Sequence, residues 1–263
     1  MKNGIDKCYE GKLNSGPTLV AFVSTGAALP TRNVKVIEAM YTTKNKYFDK
    51  HPLIKDLSFC LTGESILFAE TTDDWRKSRK SMSPAFYKGK LEDLCETAKS
   101  AVRTTMTRFK AITAKGTRQE LDIMEEIGLM TARVLLVCAL GTDCAEDPVD
   151  FWENGIIGQQ TVSYSLRVTF GNLINRMVSP HIVLFPFLAN YHLTLFERDQ
   201  GRNAKALRDF CEVIIDKRRE AISNDPEQAK SGDFLTMLLV EEHFKNRPVR
   251  IVDEILTFFF AGS

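Results

Sequence analysis

The chain has 263 residues, 44% hydrophobic and 26% charged, with 35 Lys and Arg against 34 Asp and Glu. This suits one large globular unit or two small ones, and the near-zero net charge excludes a global attraction to nucleic acid or to an anionic membrane. The six cysteines (Cys8, Cys60, Cys95, Cys138, Cys144, Cys211) lack Cys-x-x-Cys or zinc-type pairing, which argues for a reducing compartment and against a disulfide framework.

The opening "MKNGIDKCYEGKLNSG" holds no apolar core of the kind a signal peptide or anchor needs, and no stretch approaches the roughly 20 apolar residues of a spanning helix. "TLVAFVST" (18–25), apolar and bounded by Gly16-Pro17 and Gly26, reads as a strand. "NVKVIEAMYTT" (33–43) places Val34, Val36, Ile37, Met40 and Tyr41 closer to helical than to alternating spacing. From residue 73 helices dominate. "DDWRKSRKSM" has acids in its first turn and Ser83-Pro84 after it, as dipole and proline effects favour. Long amphipathic helices are expected over 91–112 and 123–141, with Gly116 between them and Gly141 closing the second.

Two more helices are expected near 151–176 and 195–222, separated by "SPHIVLFPFLANYHLTLF", an apolar stretch broken by Pro180 and Pro186. "GDFLTMLLVEEHF" reads as a short helix. A last helix follows Arg247-Pro248, with Val252, Ile255, Leu256, Phe259 and Phe260 on one face. Thr257 and Phe258 extend a second face, so burial on nearly all sides is expected. The chain then stops on "TFFFAGS", inside its most apolar turn. That reads as a cut helix whose apolar faces lack cover.

Three constellations could carry chemistry. Trp75 and Arg79, four apart on one helix, could aim an indole N–H and a guanidinium at a carboxylate or phosphate, or simply stack as a cation–π pair. Arg76, Lys77, Arg79, Lys80, Lys88 and Lys90 form a basic run with no acid over 75–90, either a solvated face or a docking patch for an acidic partner. Ala261-Gly262 lets something approach the last helix closely, whether a ligand or a crossing helix. The four histidines, His51, His181, His192 and His243, show no ligand pattern.

In linear order, "YTTKNKYFDKHP", "LTGESILFAETTDDWRKSRKSMSPAF", "FLTMLL" and "VDEILTFFFAGS" resemble the N-terminal half of a cytochrome P-450 monooxygenase, over the whole chain. The Trp-x-x-x-Arg with "SPAF" looks like the family's C-helix, and "FFFAGS" like the start of its I-helix motif. The resemblance implies a mainly α fold with a small β-sheet. It implies one incomplete domain over 1–263, with a small sheet and first helices in 1–50 and a helical part over 51–263 ending in the central I-helix. It also implies haem, and insertion of one oxygen atom of O₂ into an apolar small-molecule substrate. Electrons would come from NADPH through a flavoprotein reductase or other donor docking on Arg76, Lys77, Lys80 and Lys88.

By position, Trp75 and Arg79 would hold a haem propionate, and Ala261 and Gly262 would flank the distal oxygen site. Leu67, Phe68, Thr257 and Phe260 would line the substrate pocket. The stretch 180–188 would fall between the F and G helices, which often dip into a membrane; a full-length eukaryotic member would sit at the endoplasmic reticulum, though no anchor is present here.

The departures matter as much. The I-helix acid and Thr, the Glu-x-x-Arg and the Phe-x-x-Gly-x-x-x-Cys loop with the axial thiolate are all absent. No metal ligand is therefore assigned, and the chain alone is expected to be inactive. The rival reading is a haem-free helical pseudo-enzyme or interaction module. A nucleic-acid binder is disfavoured by the charge balance and by the lack of aromatics spaced for base stacking.

Overall fold

The last helix organises everything else. In a computed structural model, which describes residues 21–23, 26–28, 31, 33–50, 52–86, 88–114, 122–177, 179–230 and 232–262, it runs from Pro248 to Gly262. Proline at its first turn costs nothing, because that N–H has no intrahelical partner. Ile251 through Thr257 and Phe259 are all buried. The cover comes from helices of this same chain, which corrects the expectation of faces without neighbours. Only the final turn, with Ala261 and Gly262 exposed and Phe258 and Phe260 partly so, opens outward.

Along the chain, strands β1 (Ala21–Val23) and β2 (Gly26–Ala28) pair antiparallel. The predicted strand at 18–25 therefore shows only its 21–23 part; its other residues lie outside the described ones. Helices α1 (Val34–Tyr41), α2 (Pro52–Thr62), α3 (Asp73–Met82), α4 (Lys88–Thr113) and α5 (Ile123–Leu140) follow. After a β3–β4 hairpin (Pro148–Glu153, Ile156–Thr161) come α6 (Val162–Met177), α7 (Pro180–Leu184), α8 (Leu195–Asn224), α9 (Phe234–Val240) and the central helix, α10. The mainly α class with a little sheet is as the sequence predicts.

Helix starts obey capping chemistry. Thr72 accepts from the Trp75 N–H, Asp122 from those of Met124 and Glu125, and Asp233 from that of Thr236. Thr194 and Glu197 form a reciprocal capping box on α8. At the end of α5, Gly141 takes φ 71°, which only glycine adopts without strain. Arg218 of α8 then donates to the Leu140 carbonyl at 2.8 Å and to Asp233 at 2.8 Å, tying α5, α8 and α9 together.

The core is continuous. Leu136 and Leu140 of α5, Leu207, Cys211 and Ile215 of α8, and Leu235 and Leu238 of α9 surround Ile251, Val252, Ile255, Leu256 and Phe259. Each large aliphatic buried this way contributes about 1.5–3 kcal/mol of transfer free energy.

Besides the short β2 and α7, which the sequence reading also did not assign, two elements differ from it. The helix expected near 151–176 begins only at Val162, because residues 148–161 form the hairpin. Its turn is Asn154-Gly155, with φ 52° and 79°, a pair of residues suited to a tight hairpin turn. Asn203 of α8 flanks β3: its side-chain amide accepts from the Trp152 N–H at 2.7 Å and donates to the Trp152 carbonyl at 3.0 Å. The second difference is α2, an element the sequence reading did not assign, which buries Leu57, Ser58, Leu61 and Thr62.

Candidate functional site

Between α3, the turns at 63–69 and the open end of α10 lies a cleft of about 520 Å³. Its walls are Ile66, Leu67, Met82, Phe86, Leu135, Phe234, Thr257 and Phe258. Lys50, Trp75, Arg79, Glu254, Ala261 and Gly262 complete the lining. The cleft thus joins an apolar slot to a cationic rim, the general form of a site for a flat amphiphilic ligand with an acidic edge.

The rim is built around the Trp75 ring. The Arg79 guanidinium lies 5.4 Å from the ring centroid, one helical turn on, and the Lys50 ammonium lies 4.4 Å from it. Lys50 also donates to the Ala69 carbonyl at 2.5 Å. Among the described residues no carboxylate lies within ion-pair distance of Lys50 or Arg79. Burial, partly offset by Asp49 and reinforced by Arg79, pulls the Lys50 pKa below the usual lysine range. Two cations held together without an anion favour one arriving between them.

The turns at 63–69 are fastened to α10 by two successive buried acids. Asp253 accepts from the Glu64 N–H at 3.0 Å, and Glu254 from the Ile66 N–H at 3.0 and 3.1 Å. Gly63, at φ 50°, leaves the space that the Asp253 carboxylate fills. Arg208 pairs with Asp253 at 2.7 Å and Arg250 with Glu254 at 3.3 Å. Burial nevertheless raises both acids: Asp253 above the carboxylate range, and Glu254 to about 7. The Ile66 carbonyl accepts the Trp75 indole N–H at 2.7 Å.

Of the residues chosen from sequence, Leu67, Trp75, Arg79, Thr257, Ala261 and Gly262 meet in this one cleft. Phe68 and Phe260 do not line it. They pack on each other at 5.7 Å, and Phe260 on Phe170 at 5.4 Å, as an aromatic support on another side of α10. Leu135 of α5 fills the space beside Gly262, so the glycine admits a packed side chain as well as opening the cleft. Arg76, Lys77 and Lys80 are exposed on α3, with Arg76 paired to Asp73 at 2.7 Å; Lys88 opens α4, its side chain lying outside the described residues.

Lys50 and Glu254 were missed from sequence. Lys50 carries no helical spacing to Trp75, and Glu254 sits beside Asp253 in an otherwise apolar helix; only the meeting of α3 and α10 gives them a place.

The donor set fits haem in part. An apolar slot with two unpaired cations suits a porphyrin carrying propionates, but the indole N–H of Trp75 is already engaged by Ile66. No cysteine lines the cleft among the described residues, and no group of His, Cys, Asp or Glu there could hold a metal ion. Burial pushes the Cys138 thiol to about 11 and those of Cys144 and Cys211 to about 12, and none of the three lines the cleft. The described histidines are occupied elsewhere: His243 meets Ser78 Oγ at 2.9 Å, His181 meets Glu197 at 3.1 Å, and His192 packs against Gly201.

A helical protein with a central buried helix, whose open end faces a cation-rimmed apolar cleft, is the class that fold and site define. The family model "Cytochrome P-450" matches residues 7–263. The chain belongs to the cytochrome P-450 family. It is 27% identical over 218 residues to cytochrome P-450 4F3 of Rattus norvegicus, covering 76% of this chain and 38% of that protein. Against cytochrome P-450 4F8 of Homo sapiens it is 26% identical over 226 residues, covering 79% and 40%. A solved cytochrome P-450 structure (CYP102L1) superposes with a TM-score of 0.69 at 18% identity, over 97% of this chain and 54% of that one. The chain thus spans about two fifths of the length of the curated relatives it matches.

Proposed function

We propose that this chain forms the propionate-side and distal walls of a haem site in a cytochrome P-450 monooxygenase acting on an apolar substrate. The observation carrying the proposal is the pair of cations, Lys50 and Arg79, converging on the Trp75 ring in the lining of a largely apolar cleft, with no carboxylate among the described residues within ion-pair distance of either. Haem, when bound to a thiolate, supplies oxygen activation. The residues of this chain do the rest: Arg79 and Lys50 bind the acidic edge, while Leu67, Thr257 and Phe258 exclude water from an apolar guest. Ala261 and Gly262, which carry little or no side chain, would leave room in the cleft for the group and its guest. The axial thiolate is not supplied by any cysteine of the cleft, so on this reading the chain binds haem without the thiolate signature and is inactive alone.

Two partners belong to the same reading. An electron donor with an acidic face would meet the basic side of α3, at Arg76, Lys77 and Lys80 and on to Lys88, receiving electrons ultimately from NADPH. The segment 180–193 exposes Leu184, Phe185, Phe187, Tyr191 and Leu193, an apolar patch suited to peripheral contact with a membrane such as the endoplasmic reticulum. Among the described residues no helix is long and apolar enough to cross a membrane.

The test is a haemin titration of the purified chain, followed by reduction and carbon monoxide. Saturable binding that weakens in Arg79→Ala, without a strongly red-shifted thiolate-type Soret band, is the expected result. Binding indifferent to Arg79 would return the rim to a solvated cation–π cluster.

A further inference from the structure

The Ile66 peptide is held at both ends by side chains from two different helices. Among the described residues its N–H has only the Glu254 carboxylate of α10 for a partner, at 3.0 and 3.1 Å. Its carbonyl takes the Trp75 indole N–H of α3, at 2.7 Å. The neighbouring turns are otherwise local, with Ser65 donating to the Thr62 carbonyl and Phe68 and Ala69 to that of Ser65. Without Glu254 the Ile66 N–H would be left in a part-buried position unpaired, at a cost comparable to a lost hydrogen bond. Glu254 itself is 1% exposed, and a carboxylate is seldom buried so deeply without a specific partner.

The two residues that follow diverge. Leu67 is 40% exposed and lines the cleft, whereas Phe68 is 9% exposed and packs on Phe260. Which of them faces the cleft depends on the orientation of the peptide just before them. A leucine there leaves the slot wide; a phenylalanine would fill it.

We infer that Glu254 is a positioning residue that sets the shape of the cleft's apolar wall. By fixing the Ile66 peptide jointly with Trp75, it directs Leu67 into the cleft and Phe68 away from it, and so determines the width offered to an apolar guest. This inference rests on the haem-and-substrate reading only for the identity of the guest. It also gives Trp75 a role that holds before any ligand arrives: its N–H anchors the wall, while its ring carries the two cations.

Thiol accessibility tests this directly. Leu67→Cys and Phe68→Cys are prepared singly in the chain and labelled with a maleimide, with labelling rates read peptide by peptide so that native cysteines do not interfere. Labelling at 67 should outpace that at 68 by about tenfold, following exposure. Adding Glu254→Leu should bring the two rates to within about twofold, while Glu254→Gln, which keeps an amide oxygen for the Ile66 N–H, should preserve the ratio. If Glu254→Leu does not fold, Trp75→Phe, which removes only the donor to the Ile66 carbonyl, takes its place and should also compress the ratio. A ratio unchanged in a folded Glu254→Leu or in Trp75→Phe overturns the inference. Labelling needs no haem, so failed haemin binding would strike the functional reading alone, and an unchanged ratio beside intact haemin binding would strike only the role of Glu254.

Discussion

Arg176 and Glu197 face each other at 3.5 Å with both side chains 2% exposed. Arg176 also donates to the Ala189 carbonyl at 2.5 Å and reaches that of Leu57 at 3.5 Å, so one guanidinium joins α2, α6, α8 and the turn that carries the exposed apolar patch. Removing one member of a buried pair strands the other, at about 3–5 kcal/mol. Arg176→Met should therefore lower unfolding stability by about 3 kcal/mol, read from the midpoint and slope of a urea melt. A change below about 1 kcal/mol would mean that Glu197 finds equivalent partners without it.

Acid–base linkage should be visible at Glu254. Burial raises its pKa from 4.5 to about 7, despite the opposing effects of Arg250 and the Ile66 N–H. Between those values the folded chain keeps a proton that the unfolded chain has released, so its contribution to stability falls as pH rises from 4.5 through about 7. His192 and His243, lowered chiefly by burial, titrate in the opposite sense, so the measurement is a difference. Melting temperatures of wild type minus Glu254→Gln should decline across that window. A flat difference would show that Glu254 stays ionised throughout.

The two rim cations should be unequal. Arg79 offers planar, paired donors, whereas Lys50 already spends one N–H on Ala69. Arg79→Met should weaken haemin binding by roughly tenfold, the worth of a charge-assisted hydrogen bond, and Lys50→Met by less. Equilibrium titration followed at the Soret band measures both, and a larger loss from Lys50 would reverse the assignment of the main anion contact.

Asn203 should matter beyond its size. Asn203→Leu leaves the Trp152 N–H and carbonyl unpaired in a part-buried place, an expected loss of about 1–3 kcal/mol by urea unfolding. Deuterium uptake at Trp152 should rise in the same variant while α9 stays protected. Unchanged uptake at Trp152 would count against the bracket.

The sequence revealed most where a local rule acts alone. The acids opening α3, the break at Gly141 and the Pro248 start all follow from chemistry within a few residues, and those helix boundaries fell close to them. The hairpin was hidden differently. Asn154-Gly155 is a strong turn signal, but the residues around it, with Ile156 and Ile157 adjacent and both exposed, lack strict alternation and read as helix. At the site, Trp75 with Arg79 and Ala261 with Gly262 were legible because each pair is close in sequence. Lys50 and Glu254 were not, since neither has a meaning until α10 passes beneath the turns at 63–69. Phe68 and Phe260 show the converse: carried over by position from the family resemblance, they pack on each other and on Phe170 and are not in the cleft lining.

The bracket of Asn203 on Trp152 has a consequence for how the chain behaves in bulk. A strand edge with free N–H and carbonyl groups invites another strand, and a carboxamide that both donates and accepts occupies such an edge much as one residue of a neighbouring strand would. β3 is closed in this way by α8. Among the described residues β4 shows no such guard: Ile156–Thr161 is uncharged and largely exposed, with no lysine or proline to repel an approaching strand. Of the two hairpin strands, β4 is thus the edge open to strand pairing between molecules, and one lysine at Gln159 or Gln160 would be the smallest change to discourage it.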